Sequence, residues 1–282
     1  MIRSLGAVLI SLFILVTVLY NVVQKEIQPG KWQEVDENFE VAEFQAPGFS
    51  DKRARFTVVR IDPALYEFDL YCAAEHGDSL RTIDRWCRDF NLLAAVNAGM
   101  FQEDGLTNVG FMVHRGRKLN PGVLKNYNAF LGLHPVPGAG PPVTVFDRTC
   151  GDLDSLLFHY RTVVQNLRMI SCQRRNTWKE TRKRWSAVAL GRDANGRILF
   201  LFSRYPMTMH EFADNLLRLP LKLRTTMYLE GGPEASLCVR TKKGFLLRVG
   251  SFETGFYESN DNRSAWPLPN VIGVRKRTAS PP

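Results

Sequence analysis

Two short stretches of this chain set carboxylates or amides beside glycine-rich turns. The first is Asn97-Ala98-Gly99-Met100-Phe101. The second is Tyr228-Leu229-Glu230-Gly231-Gly232-Pro233-Glu234-Ala235-Ser236-Leu237. Glycine lets a ligand approach the backbone amides closely. A carboxylate at a strand end is rigidly held yet opens to solvent. General acid–base work on a glycosidic or phosphodiester bond needs such groups. Glu230 and Glu234 are four apart, but Gly231-Gly232-Pro233 argues against a helix, so helical spacing does not fix their separation. The plainer reading of Gly-Gly-Pro after a strand is simply a turn. A phosphodiester wants a cation, and Arg204 is the best candidate, since a guanidinium fork suits phosphate oxygens; a surface arginine is the alternative. The histidines (His76, His114, His134, His159 and His210) are scattered, and none has a partner at metal-ligand spacing. No cofactor is predicted, and a divalent metal is not excluded.

These groups need elements to hold them. Arg55–Asp62 and Tyr66–Cys72 are β-branched and aromatic and read as strands about a Pro63 turn. Leu80, Ile83, Cys87 and Phe90 recur with helical spacing. Leu92–Asn97 is an apolar run that suits a buried strand and delivers Asn97 to Gly99. The run 135–142 is a breaker-rich loop. Arg192-Asp193-Ala194-Asn195-Gly196 between two strand-like runs is the clearest hairpin signal. Thr208 and Glu211 stand in capping-box spacing before Phe212 and Leu216, predicting a short helix. Thr226–Glu230 is a further strand, and a second hairpin turns at Lys242-Lys243-Gly244. No long repeat is present. The expectation is one α+β domain over 51–277 with a mixed, mostly antiparallel sheet and a few flanking helices, preceded by a polar linker over 25–50 and followed by a tail at 278–282.

Residues Leu5 to Val23 carry no charge, and Arg3 precedes them. At 1.5 Å per residue such a helix spans roughly 30 Å of hydrocarbon. No small-residue cleavage site follows, so residues 1–24 read as an uncleaved transmembrane signal anchor, with a cleaved leader as the alternative. The charge before it places the rest of the chain outside the cytoplasm, in the periplasm or beyond. A disulfide is permitted there, but the five cysteines cannot all pair within the chain. Cys87 and Cys238 fall at apolar positions and read as buried thiols.

The formal net charge is +9. Seven cations between Arg168 and Arg184, against Glu180 alone, and the triplet Arg275-Lys276-Arg277 account for all of it. A chain basic in two patches and without a recognition motif is not expected to bind nucleic acid. The cationic run is either a solvated face or, with Trp178 and Trp185 interleaved, a surface for anionic lipid or glycan.

Taken in order, the segments resemble the phosphodiester glycosidase family, which includes the mammalian lysosomal uncovering enzyme and many bacterial proteins. The resemblance rests on Asn97–Phe101, Val109–Val113 with Gly116, Val164-Gln165, Ala187–Phe202, Glu211-Phe212-Ala213, and Leu229–Gly232 with Ser236. It implies removal of a sugar linked through its anomeric carbon to a phosphodiester, giving free sugar and a phosphomonoester. Carried over by motif, it puts Asn97, Met100, Gln165, Glu230 and Ser236 at the pocket, with the Gly231 and Gly232 amides facing phosphate or sugar. The chain departs from the family's pattern in four places: Glu230 stands where Asp is usual, Asn166-Leu167-Arg168 replaces a Gly-Pro, Trp185-Ser186 occupies the place of an Arg, and Asn128-Ala129-Phe130 stands for a Gly-Asn-Phe.

The expected function is therefore an extracytoplasmic, membrane-anchored hydrolase acting on a glycosyl phosphodiester or anionic envelope glycan. Glu230 would be acid/base or nucleophile, Glu234 its partner or orienter, and Asn97 the holder of substrate hydroxyls. Arg204 and the remaining pocket residues would bind substrate. The alternative is a non-catalytic envelope-glycan-binding or scaffolding protein on the same fold.

Overall fold

The computed structural model describes residues 27–242 and 244–277. Among the described residues, seventeen strands form three sheets with antiparallel pairing throughout, and three short helices accompany them. The expected single mixed sheet is thus three antiparallel ones. The expected anchor over 1–24 and the tail 278–282 lie outside the described residues, and no helix among the described residues is long and apolar enough to cross a membrane.

The largest sheet has seven strands. In spatial order these are β1 (Gln33–Asp36), β2 (Phe39–Gln45), β3 (Arg55–Ile61), β13 (Ile198–Met207), β12 (Trp185–Asp193), β14 (Leu223–Gly231) and β11 (Arg168–Ile170). A second, five-stranded sheet runs β7 (Arg117–Asn120), β6 (Met112–His114), β10 (Tyr160–Asn166), β8 (Ala129–Pro135) and β9 (Val143–Asp147). The third runs β16 (Gly244–Val249), β15 (Ser236–Thr241), β5 (Ala94–Asn97), β17 (Asn270–Lys276) and β4 (Tyr66–Cys72).

The sheets share one central core, and each covers its other face with a helix. Along β13, Ile198, Phe200 and Phe202 point into the central core, while Leu199 and Leu201 join the outer cluster with Phe212 and Leu216 of helix α3 (Met209–Arg218). Strands buried on both faces read as continuous apolar runs, which is why Ile198–Phe202 shows no alternation. Phe56 and Phe212 meet edge to face at 4.9 Å. In the third sheet, Ala94 and Val96 enter the shared core, and Ala95 packs outward with Trp86 and Cys87 of helix α1 (Ile83–Asp89). Helix α2 (Leu153–His159) covers the second sheet, placing Leu156 against Phe130 and Val163.

Local chemistry accounts for the boundaries. Thr208 Oγ1 accepts the Glu211 amide at 3.1 Å, and the Glu211 carboxylate accepts the Thr208 amide at 2.9 Å, so the predicted capping box starts α3. Asp193 Oδ1 accepts the amides of Asn195 and Arg197, closing the predicted β12–β13 hairpin. The stretch expected as a linker is different: residues 33–45 are β1 and β2, and Phe39 and Val41 belong to the central core. The interleaved polar residues look like linker because β1 lies at the sheet edge, where one side stays in water.

Cys150 and Cys172 form a disulfide across 22 residues, while Cys72, Cys87 and Cys238 are free and buried. The bond ties the segment after β9 to the end of β11, where the cationic run begins.

Candidate active site

The site lies where the chain crosses from the large sheet to the third. β14 delivers Glu230 at its end, paired with Val188 of β12 beside an irregularity at Val188/Ala189. Such bulges re-aim side chains near functional sites. A single 3₁₀ turn, Gly232–Glu234, then carries the chain into β15. Gly232 takes φ +62°, and a Cβ there would stand 2.4 Å from Glu253 Oε2 and 3.4 Å from Glu234 Oε2. Only glycine allows both the left-handed conformation and this approach of two carboxylates. A Cβ on Gly231 would likewise run into the Tyr228 hydroxyl and the Trp185 indole.

Three carboxylates therefore converge: Glu230, Glu234 and Glu253. Glu253, on the loop after β16, is absent from the sequence expectations. Nothing in Ser251-Phe252-Glu253-Thr254 marks it, because a loop brings it in from beyond the motif. Burial pushes the Glu230 carboxyl up to about 8; the Gly231 amide, 3.0 Å from Oε1, works against this, and the charges of Glu234 and Glu253 add to it. Burial, with Glu253 adding repulsion, lifts Glu234 to about 7. Glu253 is raised by burial too, and the Lys183 charge partly offsets this. Tyr228 and Tyr127 have their hydroxyls raised by burial first and by the Glu230 charge second. At neutral pH the deepest carboxyl holds a proton, and its half-buried neighbour sits near its midpoint. An acid and a base in one site need such a pair.

Asn97 is buried beneath this centre. Its Nδ2 donates to the Glu234 carbonyl at 3.0 Å, and its Oδ1 accepts the Ser236 amide at 2.8 Å. Both polar atoms of its side chain bond to backbone, so Asn97 clamps the turn. Ser236 is fully buried and donates to the Glu234 carbonyl, so it too serves the turn.

Gln165, expected to bind substrate, uses every side-chain valence on backbone. Oε1 accepts the amides of Phe111 and Leu124, and Nε2 donates to the carbonyls of Leu124 and Tyr127, each at 2.7 Å. It fixes the loop that brings Tyr127 to Glu230. Arg204, expected to meet phosphate, donates to the carbonyls of Val249, Asn260 and Asn262 and so pins the loop carrying Glu253. The Gly231 amide is taken by Glu230 itself. Met100 is half-buried and, like Trp178 and Trp185, packs against the edge of the outer core. Of the expected residues, Glu230, Glu234, Gly231 and Gly232 meet at the centre; Asn97, Ser236, Gln165 and Arg204 hold it in place.

The cationic run divides. Arg168 is paired with buried Asp147 at 2.7 Å, and Arg184 forks onto Glu211 at 2.8 and 2.9 Å. Lys179, Arg182 and Lys183 stay exposed. The Arg184 amide donates to Thr254 Oγ1, joining this segment to the Glu253 loop. The end of this run thus lies against the Glu253 loop as a cationic lip, from which Lys183 is close enough to act on Glu253.

Two clusters among the described residues have metal-type donors. Asp147, Cys150 and Cys172 are one, but both sulfurs are consumed in the disulfide. Glu67, Asp69 and His134 are the other, a convergence the sequence did not suggest. There the Arg115 guanidinium, 2.7 Å from Asp69 and 3.2 Å from His134 Nε2, already supplies the cation.

The family profile of phosphodiester glycosidase matches residues 90–275, well over half of the chain, and the chain belongs to that family. No curated protein matches it in sequence. Among solved structures it is similar to the catalytic domain of zebrafish N-acetylglucosamine-1-phosphodiester alpha-N-acetylglucosaminidase, auto-inhibited by its pro-peptide. The identity is 12% and the TM-score 0.58, covering 89% of this chain and 88% of that one. It is also similar to a hypothetical protein from Synechocystis, at 14% identity and TM-score 0.55, covering 85% of this chain and 62% of that one. At these identities the likeness is one of fold.

Proposed function

We propose that this phosphodiester glycosidase cleaves a sugar from a glycosyl phosphodiester outside the cytoplasm, with Glu230 as general acid and Glu234 as general base. The observation that carries the reading is the convergence of Glu230, Glu234 and Glu253, with the first lifted to about 8 and the second to about 7. In the reaction, water adds to the anomeric carbon while the bond from that carbon to the phosphate oxygen breaks. Ionised Glu234 takes a proton from the water, and protonated Glu230 gives one to the departing oxygen. The products are free sugar and a phosphomonoester, and a proton passing back from Glu234 to Glu230 resets the pair. Burial keeps the Glu234 carboxyl high, and repulsion by Glu253 adds to this. The lip of Lys179, Arg182 and Lys183 answers the phosphate charge. Asn97 supports the turn and makes no substrate contact.

The Cys150–Cys172 disulfide supports an oxidising location, and the uncharged stretch Leu5–Val23 supports export with retention at a membrane. Anionic envelope glycan carrying a sugar-phosphate diester is the substrate class that fits both the location and the cationic lip.

Incubation of the full chain with a set of sugar-1-phosphate diesters, following free sugar and phosphomonoester, tests this. Equimolar release by the wild type, lost in Glu230→Gln with the fold intact by circular dichroism, is the expected result. Saturable binding without release from any diester would leave a glycan-binding protein instead.

A further inference from the structure

Four large apolar side chains are exposed among the described residues: Leu80, Val123, Phe158 and Phe256. Only Phe256 shares a loop with a carboxylate of the centre. Glu253 and Tyr257 close a turn by two backbone bonds, Glu253 N–H to Tyr257 O at 2.9 Å and Tyr257 N–H to Glu253 O at 3.0 Å. Phe256 stands at the tip, 61% exposed. The ring of Trp266 backs both aromatics edge to face, at 6.3 Å from Phe256 and 5.9 Å from Tyr257. The turn is sewn to the body of the fold: the Thr254 amide donates to the Arg184 carbonyl at 3.0 Å, and Arg204 pins the segment behind it. Phe256 is therefore a held aromatic face in water, not a loose loop tip.

A phenylalanine left in water forgoes the gain of burial, so a rigid one grouped with two further aromatics beside a reactive centre points to a ligand that covers it. The rim indicates which. The Tyr257 hydroxyl donates to Asp261 Oδ1 at 2.8 Å, and the Glu258 carboxylate accepts the Gly255 amide at 2.8 Å. Glu258, Asn260 and Asp261 are all exposed around the platform. The Glu258 and Asp261 carboxylates repel an anionic lipid surface or a nucleic acid. They are well placed to accept hydrogen bonds from the hydroxyls of a sugar whose C–H face lies on the ring, since the face of an aromatic ring is electron-rich and attracts polarised hydrogens. Lys183 of the cationic lip reaches Glu253, while the platform's own loop carries the Glu258 and Asp261 carboxylates, with Arg263 acting on Asp261.

We propose, on the reading that Glu230 and Glu234 form the hydrolytic centre, that Phe256, Tyr257 and Trp266 form a subsite for an uncharged pyranose ring. The substrate is then an oligosaccharide carrying the phosphodiester, with a sugar unit next to the scissile linkage stacked on Phe256.

Binding measured directly tests this independently of turnover. The full chain is titrated with neutral linear tetrasaccharides of glucose, galactose and N-acetylglucosamine, following tryptophan fluorescence and heat. Saturable binding to at least one, weakened about tenfold in Phe256→Ala, restored in Phe256→Tyr and unaffected in Phe158→Ala, is expected. Equal affinity in wild type and Phe256→Ala, or no saturable binding of any tetrasaccharide, overturns the subsite. So does binding to phosphatidylglycerol vesicles that Phe256→Ala abolishes. If tetrasaccharide binding depends on Phe256 while no phosphodiester is turned over, the subsite stands and the hydrolytic reading falls. The reverse pattern, turnover without tetrasaccharide binding, removes the subsite and leaves the hydrolase.

Discussion

Asn97 and Ser236 are joined by a 2.8 Å hydrogen bond from the Ser236 amide to Asn97 Oδ1, although 139 positions separate them. The same side chain holds the Glu234 carbonyl at 3.0 Å. The clamp fixes the turn that aims Glu234, so Asn97 acts through position. Asn97→Ala leaves the buried Ser236 amide unpaired, at a cost of about 1–3 kcal/mol. Turnover number should fall about 100-fold, as for a misplaced catalytic group, while KM changes little. Steady-state kinetics with thermal unfolding checks both; a rise in KM alone would show that Asn97 touches substrate after all.

Glu230 links the site to stability. Its ordinary value is 4.5, and in the folded protein it stands at about 8. Between those values the folded state holds a proton that the unfolded chain has lost, so stability declines as pH rises through this window. Glu230→Gln removes that titration. The variant should match the wild type near pH 4.5 and exceed it at pH 7 by on the order of 2 kcal/mol. Urea unfolding across pH 4.5–8 measures the gap; a gap that shrinks with rising pH would contradict the assignment.

Activity should follow a bell-shaped pH curve, rising as Glu234 ionises near 7 and falling as Glu230 loses its proton near 8. The two limbs report the pair rather than single residues. Glu253 repulsion helps hold Glu234 up, so Glu253→Gln should move the acid limb to lower pH. Lys183→Ala removes a charge that lowers Glu253, so Glu253 should hold its proton to higher pH and the acid limb should move in the same direction, by less. An acid limb unmoved by Glu253→Gln would separate that residue from the centre.

Loss of the disulfide should cost stability in the range typical of a loop of this size. Cys150 and Cys172 are 22 residues apart, and the double change to serine should remove about 2–4 kcal/mol. Affinity for a phosphodiester should weaken as well, because the bond anchors the start of the cationic run. Thermal unfolding with and without reductant, and affinity for a non-hydrolysed diester, give the two readings.

Local signals in the sequence were legible. The Thr208–Glu211 capping box and the Asp193–Gly196 turn are where their chemistry puts them. Glu230 and Glu234 were visible because a strand ends in Gly-Gly-Pro between them. The direction of the polar side chains was not. Asn97, Gln165 and Arg204 have the types of substrate-binding residues, yet each bonds to backbone from a distant segment, and no local pattern encodes that. Glu253 was invisible for the same reason. The three-sheet architecture was hidden because residues such as Ile198–Phe202, buried on both faces, show that a strand is inside but not what lies on either side. The resemblance to phosphodiester glycosidases came from the order of several weak motifs.

The clamp between Asn97 and Ser236 also orders events during synthesis. A chain made from its N-terminus displays Asn97 long before Ser236, and Glu253 emerges later still. The middle strand of the third sheet, β5, has both its partners, β15 and β17, far downstream. Contacts of such separation form late and slowly. The three carboxylates therefore cannot meet until nearly all of the chain has been delivered, and a prematurely ended product has a strand bearing Asn97 but no turn for it to grip.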